Sequence, residues 1–267
     1  MALFTRVHRT LQILRKNSTQ GLTNKEISKA LRIPAPSSYR ILQTLERDGY
    51  VRKRNSDKRY FLGFIHLSYA ECIFESTDVV GIAVPLLEQL HSDTDETCVL
   101  ALFDGETCTV VYVCGTLDPD ISCGFGEKYQ MHANATGKAI LAFLPKNDYL
   151  RIITKLKYIR YTNNTITNRN DLEKCLVRVR REGVAFNTGE RYDGLNGLSS
   201  PFFNSDEQVI GAITLLGKAQ DLDLEQMKEY SEQLVETAEI ITWKLGGTYP
   251  QLILDRYGKK KANNRPA

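Results

Sequence analysis

The sequence predicts an α+β protein in two domains: a small basic unit of helices and a hairpin, then a larger acidic unit that mixes helices with strands. Three observations carry this. The chain has 267 residues, long for one ordinary module and short for three. Its charge is uneven: residues 1–62 hold fourteen Lys/Arg against four acids, a net +10, residues 63–255 carry −12, and the last twelve residues carry +5. The apolar spacing reads three helices and a hairpin before residue 62, and alternates helix with strand after residue 78.

Composition narrows the class. Hydrophobic residues make up 42% and charged residues 25%, the balance of a folded globular chain. No apolar run approaches the roughly 20 residues that cross a bilayer, and the basic N-terminus does not read as a signal peptide. The six cysteines contain no C-x-x-C pair. Reduced thiols in a cytoplasm are therefore expected, with no disulfide framework, metal site or cofactor.

In the first 62 residues, Val7, Leu11 and Leu14 place a helix over Arg6–Lys16. Thr23-x-x-Glu26 is a capping box, in which hydroxyl and carboxylate each serve the other residue's N–H. It opens a helix over Asn24–Leu31. Pro34 and Pro36 forbid its continuation and suit a turn and a helix start. The next helix runs from Pro36 to Arg47 with Ile41, Leu42 and Leu45 inward, and Gly49 follows as a left-handed stop. Tyr50–Arg54 and Lys58–Leu62 read as strands around Asn55-Ser56-Asp57.

Two short helices, a tight turn and a basic hairpin describe a winged helix-turn-helix, whose second helix enters a major groove. That helix presents Ser37, Ser38, Tyr39 and Arg40, then Gln43 and Thr44. The two serines suit either capping or phosphates. Arg40 and Gln43 have the geometry for base edges. The wing offers Arg52, Lys53, Arg54, Lys58 and Arg59, which repel one another unless something anionic compensates. Arg9 and Thr23 complete the candidate DNA-contacting set. With about six such charges on phosphates, the log–log salt slope is expected near −5.

The stretch LTNKEISKALRIPAPSSYRILQTLERDGYVRKRNSDKRYFLG resembles the DNA-binding domain of the IclR family of bacterial transcription regulators. The family usually carries a polar or basic residue where this chain has Pro36. Residues 63–77 have helical spacing without turn residues. In the family such a linker helix separates the domains and contributes to dimer contacts.

Beyond it, Val79–His91, Ala135–Phe143, Leu150–Ile159, Arg169–Glu182 and Leu222–Leu245 read as helices. Thr97–Phe103, Thr107–Gly115 and Val209–Leu216 read as strands, the first two joined by the turn signal Asp104-Gly105. The stretches DTDET, MHANATGKAILAFLP, YTNNTIT and VRREGVAFNTGERYDGLNGLSSP are similar to the IclR effector domain. The resemblance implies a GAF-like domain over 78–250, with residues 251–267 left as a basic, flexible tail. It also implies an effector pocket, with Asn134, Ala135, Thr136 and Gly137 as one wall and Asn187, Leu195, Gly197 and Ser199 as the other. The family often has Cys at the position of Gly197.

Gly137-Lys138 is not a phosphate-binding loop, since Ala139 follows it and His132 stands where the first glycine belongs. No nucleophile sits near a base in sequence, so no catalytic residue is assigned. The expectation is a ligand-responsive DNA binder. It acts as a homodimer or dimer of dimers on an inverted-repeat operator in duplex DNA, away from membranes, and is modulated by a small organic or aromatic acid. The alternatives are an enzyme with a DNA-binding appendage and a ligand-independent DNA binder.

Overall fold

The computed structural model describes residues 3–75, 78–115 and 124–257. The chain divides into two compact units, Met1–Thr77 and Asp78–Ala267.

The first unit comprises α1 (Leu3–Lys16), β1 (Leu22–Thr23), α2 (Asn24–Leu31), α3 (Ala35–Arg47), β2 (Val51–Arg54), β3 (Arg59–Leu62) and α4 (Ile65–Glu75). Leu14, Ile27, Leu31, Ile41, Leu42, Leu45, Val51 and Tyr60 form its core. Full burial of each aliphatic side chain contributes about 1.5–3 kcal/mol. The capping box forms, with Thr23 Oγ1 accepting from Glu26 N–H and Glu26 accepting from Thr23 N–H. Arg32 ends α2 in the left-handed region at φ 56°. The sheet order is β1-β3-β2. Gly21, at φ +65°, lies under the Phe61 ring of β3, where a Cβ would come within 2.5 Å of the ring. Helix α4 docks on its own unit: His66 Nε2 is 3.0 Å from Tyr50 O, and the Tyr50 and Tyr69 hydroxyls are 2.9 Å apart.

The second unit runs α5 (Asp78–Thr94), β4 (Thr97–Phe103), β5 (Cys108–Cys114), β6 (Lys128–Tyr129), α6 (Ala135–Phe143), α7 (Lys146–Lys155), α8 (Arg169–Glu182), β7 (Ala185–Thr188), β8 (Leu195–Phe203), β9 (Val209–Lys218), α9 (Leu224–Lys244) and α10 (Gln251–Tyr257). Six antiparallel strands form one sheet in the order β6-β5-β4-β9-β8-β7. Every residue of β8 is buried, so both faces of the sheet are covered there.

Two expectations need correction, and two strands stand where the sequence predicts no element. The helix expected over Leu150–Ile159 is α7, which starts directly after Pro145. Leu156 and Ile159 extended the apolar pattern, but Ile159 lies beyond the helix and is 45% exposed. Strands β7 and β8 stand where the sequence shows asparagine, glycine, serine and proline, residues of low strand propensity. Their pairing with each other and with β9 overrides that preference. Pro201 is tolerated because β7 pairs only as far as Ser199, so no neighbour on that side needs its N–H. Finally, the tail does not begin at 251. Residues 251–257 are helical, and Ile253 is fully buried against α8 and its Gly183 stop. Residues 258–267 lie outside the described residues.

Candidate nucleic-acid interface and an internal cavity

Helix α3 buries Ser38, Ile41, Leu42 and Leu45 and exposes Tyr39, Arg40, Gln43, Thr44 and Arg47. The exposed positions recur at helical spacing, so they form one continuous stripe. Arg40 and Gln43 make no ion pair or side-chain bond among the described residues. Thr44 donates its hydroxyl to Arg40 O at 3.1 Å, which leaves it only as an acceptor. Ser37 is half-buried and exposes part of its side chain at the helix start. Ser38 does not belong to the contact face. It is 0% exposed, and its Oγ has no hydrogen-bond partner. Thr23 is likewise committed to its cap, donating to Glu26 Oε2 at 2.9 Å and accepting from Glu26 N–H. Arg9 is exposed on α1.

The wing compensates part of its own charge. Arg54 Nη2 lies 2.6 Å from Asp57 Oδ2, and this bond holds the Asp57 carboxyl down at about 2. Arg59 donates to Gly21 O at 2.9 Å and to Glu26 Oε2 at 3.3 Å. Arg52 has no acidic partner among the described residues. Its guanidinium lies 4.9 Å from the Phe61 ring centroid and 5.2 Å from that of Phe64. Lys53 lies over Tyr60 at 5.5 Å on the opposite face of the hairpin. Lys58 turns the hairpin at φ 58° with its side chain exposed. Of the α3 and wing cations, Arg40, Arg52, Lys53 and Lys58 have no acid partner among the described residues, where the sequence counted about six.

The second unit encloses a cavity between the first turn of α6, the β7–β8 hairpin and β9. Its volume is about 40 Å³. Asn134, Ala135 and Thr136 line it from α6, and Asn187, Leu195 and Gly197 line it from the hairpin. At Gly197 a Cβ would meet Leu215 O at 2.9 Å and Leu216 Cδ1 at 3.0 Å, so glycine keeps the space open. Two expected residues are not on the wall. Gly137 packs on Met131 and gives its N–H to Asn134 Oδ1 at 2.7 Å. Ser199 stands behind Thr214, accepting from its hydroxyl at 2.9 Å.

Helix α6 starts with that Asn134 cap and buries every residue from Ala135 to Ala142. The cap serves Gly137 alone, so the N–H groups of Ala135 and Thr136 have no intrahelical acceptor, and both residues line the cavity. Lys138, one turn in, is 1% exposed and forms a buried ion pair with Glu190, while also donating to Phe186 O at 2.7 Å. Lys138 thus closes an internal charge pair with Glu190 between α6 and the β7–β8 loop. Burial pushes the Glu190 carboxyl up, and the Lys138 ammonium opposes that shift.

The wall includes residues that sequence reasoning missed: Tyr129, Arg191, Tyr192, Thr214 and Leu216. Arg191 matters most. Its guanidinium stacks 3.9 Å from the Tyr161 ring centroid, and its Nη1 is buried with no hydrogen-bond partner. The signal was present in GERYDG, a cation beside an aromatic inside a quoted stretch, but only the fold brings Tyr161 to it. Close by, His132 is fully buried. Its Nε2 is 3.0 Å from Ile159 O, and burial lowers its pKa. The ring is therefore neutral, with Nε2–H donating and Nδ1 bare.

Comparison with known proteins fits both halves. A model described as IclR helix-turn-helix domain matches residues 7–55, and one described as bacterial transcriptional regulator IclR C-terminal matches residues 72–243. The chain belongs to the IclR family. It is a transcriptional regulator with a DNA-binding domain. The HTH-type transcriptional regulator XynR of Escherichia coli is 26% identical over 253 residues, covering 94% of this chain and 100% of that one. The transcriptional repressor IclR of Escherichia coli is 24% identical, covering 88% of this chain and 86% of its own. The crystal structure of the Thermotoga maritima IclR superposes with a TM-score of 0.77 at 26% identity, covering 91% and 98%. An IclR homolog from Microbacterium hydrocarbonoxydans, solved in complex with 4-hydroxybenzoate, shares the fold at TM-score 0.76 and 19% identity, covering 91% and 99%. No helix among the described residues is long and apolar enough to cross a membrane.

Proposed function

We propose that this IclR-family regulator holds an operator through α3 and the β2–β3 wing, and that a small organic acid bound in the cavity of the second unit changes that hold. The carrying observation is Arg191 on the cavity wall. Its buried Nη1 has no hydrogen-bond partner, and it shares the wall with Asn187 and with the first residues of α6, groups that favour an anion. Ala135, Leu195 and Leu216 supply the apolar remainder. The 4-hydroxybenzoate complex of the Microbacterium homolog supports an acid as the ligand of a protein of this fold. Gly137 and Ser199 contribute by shaping the wall behind the lining residues.

The regulator acts in the cytoplasm on double-stranded DNA. It binds an inverted-repeat operator of a catabolic operon as a homodimer or a dimer of dimers. Binding occurs without turnover. For the acid to regulate, it must bind one quaternary arrangement better than another. The test is fluorescence anisotropy of the full chain on an operator fragment, titrated with a panel of carboxylic acids. At least one acid should shift the DNA affinity by about fivefold or more. A panel that leaves it unchanged refutes the reading.

A further inference from the structure

The polar groups around the cavity sort into two kinds, and one carbonyl fixes the sorting. Ser199 Oγ lies 2.9 Å from Ile213 O. A carbonyl only accepts, so the serine proton is committed there. Thr214 Oγ1, 2.9 Å from Ser199 Oγ, must then donate to it. Thr136 Oγ1, 2.8 Å from Thr214 Oγ1, must donate in its turn. The relay leaves the two threonine oxygens at the cavity with lone pairs and no free proton. The opposite chemistry comes from the β7–β8 hairpin. Asn187, also on the wall, already accepts from Glu190 N–H at 2.9 Å through Oδ1, so its amide nitrogen is left as a donor. Arg191 is a donor at every nitrogen, and its buried Nη1 is unmatched.

We propose that these two groups read two different parts of one ligand: Arg191 takes a carboxylate, and the Thr136–Thr214 pair takes the proton of a hydroxyl, which makes the ligand a hydroxy acid. This rests on the cavity being the effector site and goes further, because the two threonine oxygens have spent their protons and can only accept, so a ligand group set against them must donate. A ligand hydroxyl adds a hydrogen bond there that its deoxy analogue cannot make. Arg191 is ready for its part, since stacking on Tyr161 holds the guanidinium plane before any ligand arrives.

The test uses matched compounds and the full chain in calorimetric titrations. Lactate is compared with propionate and lactamide, and 4-hydroxybenzoate with benzoate and 4-hydroxybenzamide. The wild type should bind one of the two hydroxy acids at least about tenfold more tightly than both of its partners. In Arg191→Gln the preference for acid over amide should vanish while the preference for the hydroxyl survives. In Thr136→Val the reverse should hold. Arg191→Lys, which keeps the charge but not the fork, should retain part of the acid preference and serves if the glutamine variant does not fold. Equal binding of hydroxylated and deoxy acids, or an Arg191→Gln variant that still prefers acid over amide, overturns the assignment while leaving the cavity an acid site. Absence of binding by every acid overturns this assignment and the proposed function together.

Discussion

Replacing Lys58 by alanine should flatten the salt dependence of DNA binding, and replacing Arg59 should not. The sequence treats the two as equal members of a basic wing. The structure separates them: Arg59 is held by Glu26 and Gly21 O, while Lys58 stands exposed at the turn with no acid among the described residues. Each cation that meets a phosphate releases a counterion and contributes about 0.9 to the log–log slope, so the four uncompensated cations give about −3.6 per winged-helix unit. Between about 50 and 200 mM salt that slope lowers affinity about 150-fold, and with Lys58 removed the loss shrinks to about 40-fold. Arg59→Ala should lower thermal stability by unpairing Glu26 and leave the slope within error. Asp57→Asn, which releases Arg54, should steepen the slope by up to about 0.9. The assay is anisotropy of a labelled duplex over a potassium chloride series. Two units on one operator double each slope, square each fold-loss and preserve the contrast. Equal flattening by Lys58→Ala and Arg59→Ala would refute the reasoning that internal ion pairs withhold charge from DNA.

Other expectations are separable from this one. Arg40→Ala should relax sequence preference, costing about 1–3 kcal/mol at one base pair, read by comparing single-substitution operator variants. Glu190→Gln leaves Lys138 charged and buried without its counterion, which should cost about 3–5 kcal/mol in denaturant unfolding. His132 has a folded-state pKa below its ordinary value. Its contribution to stability is therefore complete above the unfolded value, about 6.5, and is lost as pH falls below it, because the unfolded chain takes up a proton that the folded chain refuses. Melting temperatures from pH 8 to about 5 should show this decline, and His132→Gln should lessen it.

Much of the first unit was legible because its signals are local. The capping box, the Pro34–Pro36 stop and the Gly49 stop each act over a few residues, and α2 lies over Asn24–Leu31 as its spacing predicts. The charge on the wing was legible, but its compensation was not: Arg59 and Glu26 are far apart in sequence and meet only through the β1–β3 pairing. Ser38 was misassigned because one helical turn decides between groove and core, and Ile41, Leu42 and Leu45 pull its side inward. In the second unit, α6 and α8 follow from period and stop signals. Strands β7 and β8 were hidden by residues that favour turns, and Arg191 gains meaning only when Tyr161 is brought beside it.

That last failure has a physical cause that bears on function. Local consistency breaks down in one region of the second unit, where Arg191 Nη1, Glu190 Oε2, His132 Nδ1 and Tyr158 Oη are buried without partners among the described residues. Each such group costs about 1–3 kcal/mol relative to a satisfied one, and a sequence optimised for stability alone would replace them with apolar residues. The groups around them are well satisfied: Asn134 caps α6, Thr136, Thr214 and Ser199 form a closed relay, and Lys138 has both Glu190 and Phe186 O. The second unit meets its other polar groups, and Arg191, one of the unmet ones, lines the cavity, so this unit is destabilised where a ligand can compensate it. A ligand that satisfies Arg191 then stabilises the liganded state by about 2.7 kcal/mol at a hundred times its dissociation constant. That is enough to bias an equilibrium between two arrangements of the regulator about a hundredfold, provided the ligand binds only one of them.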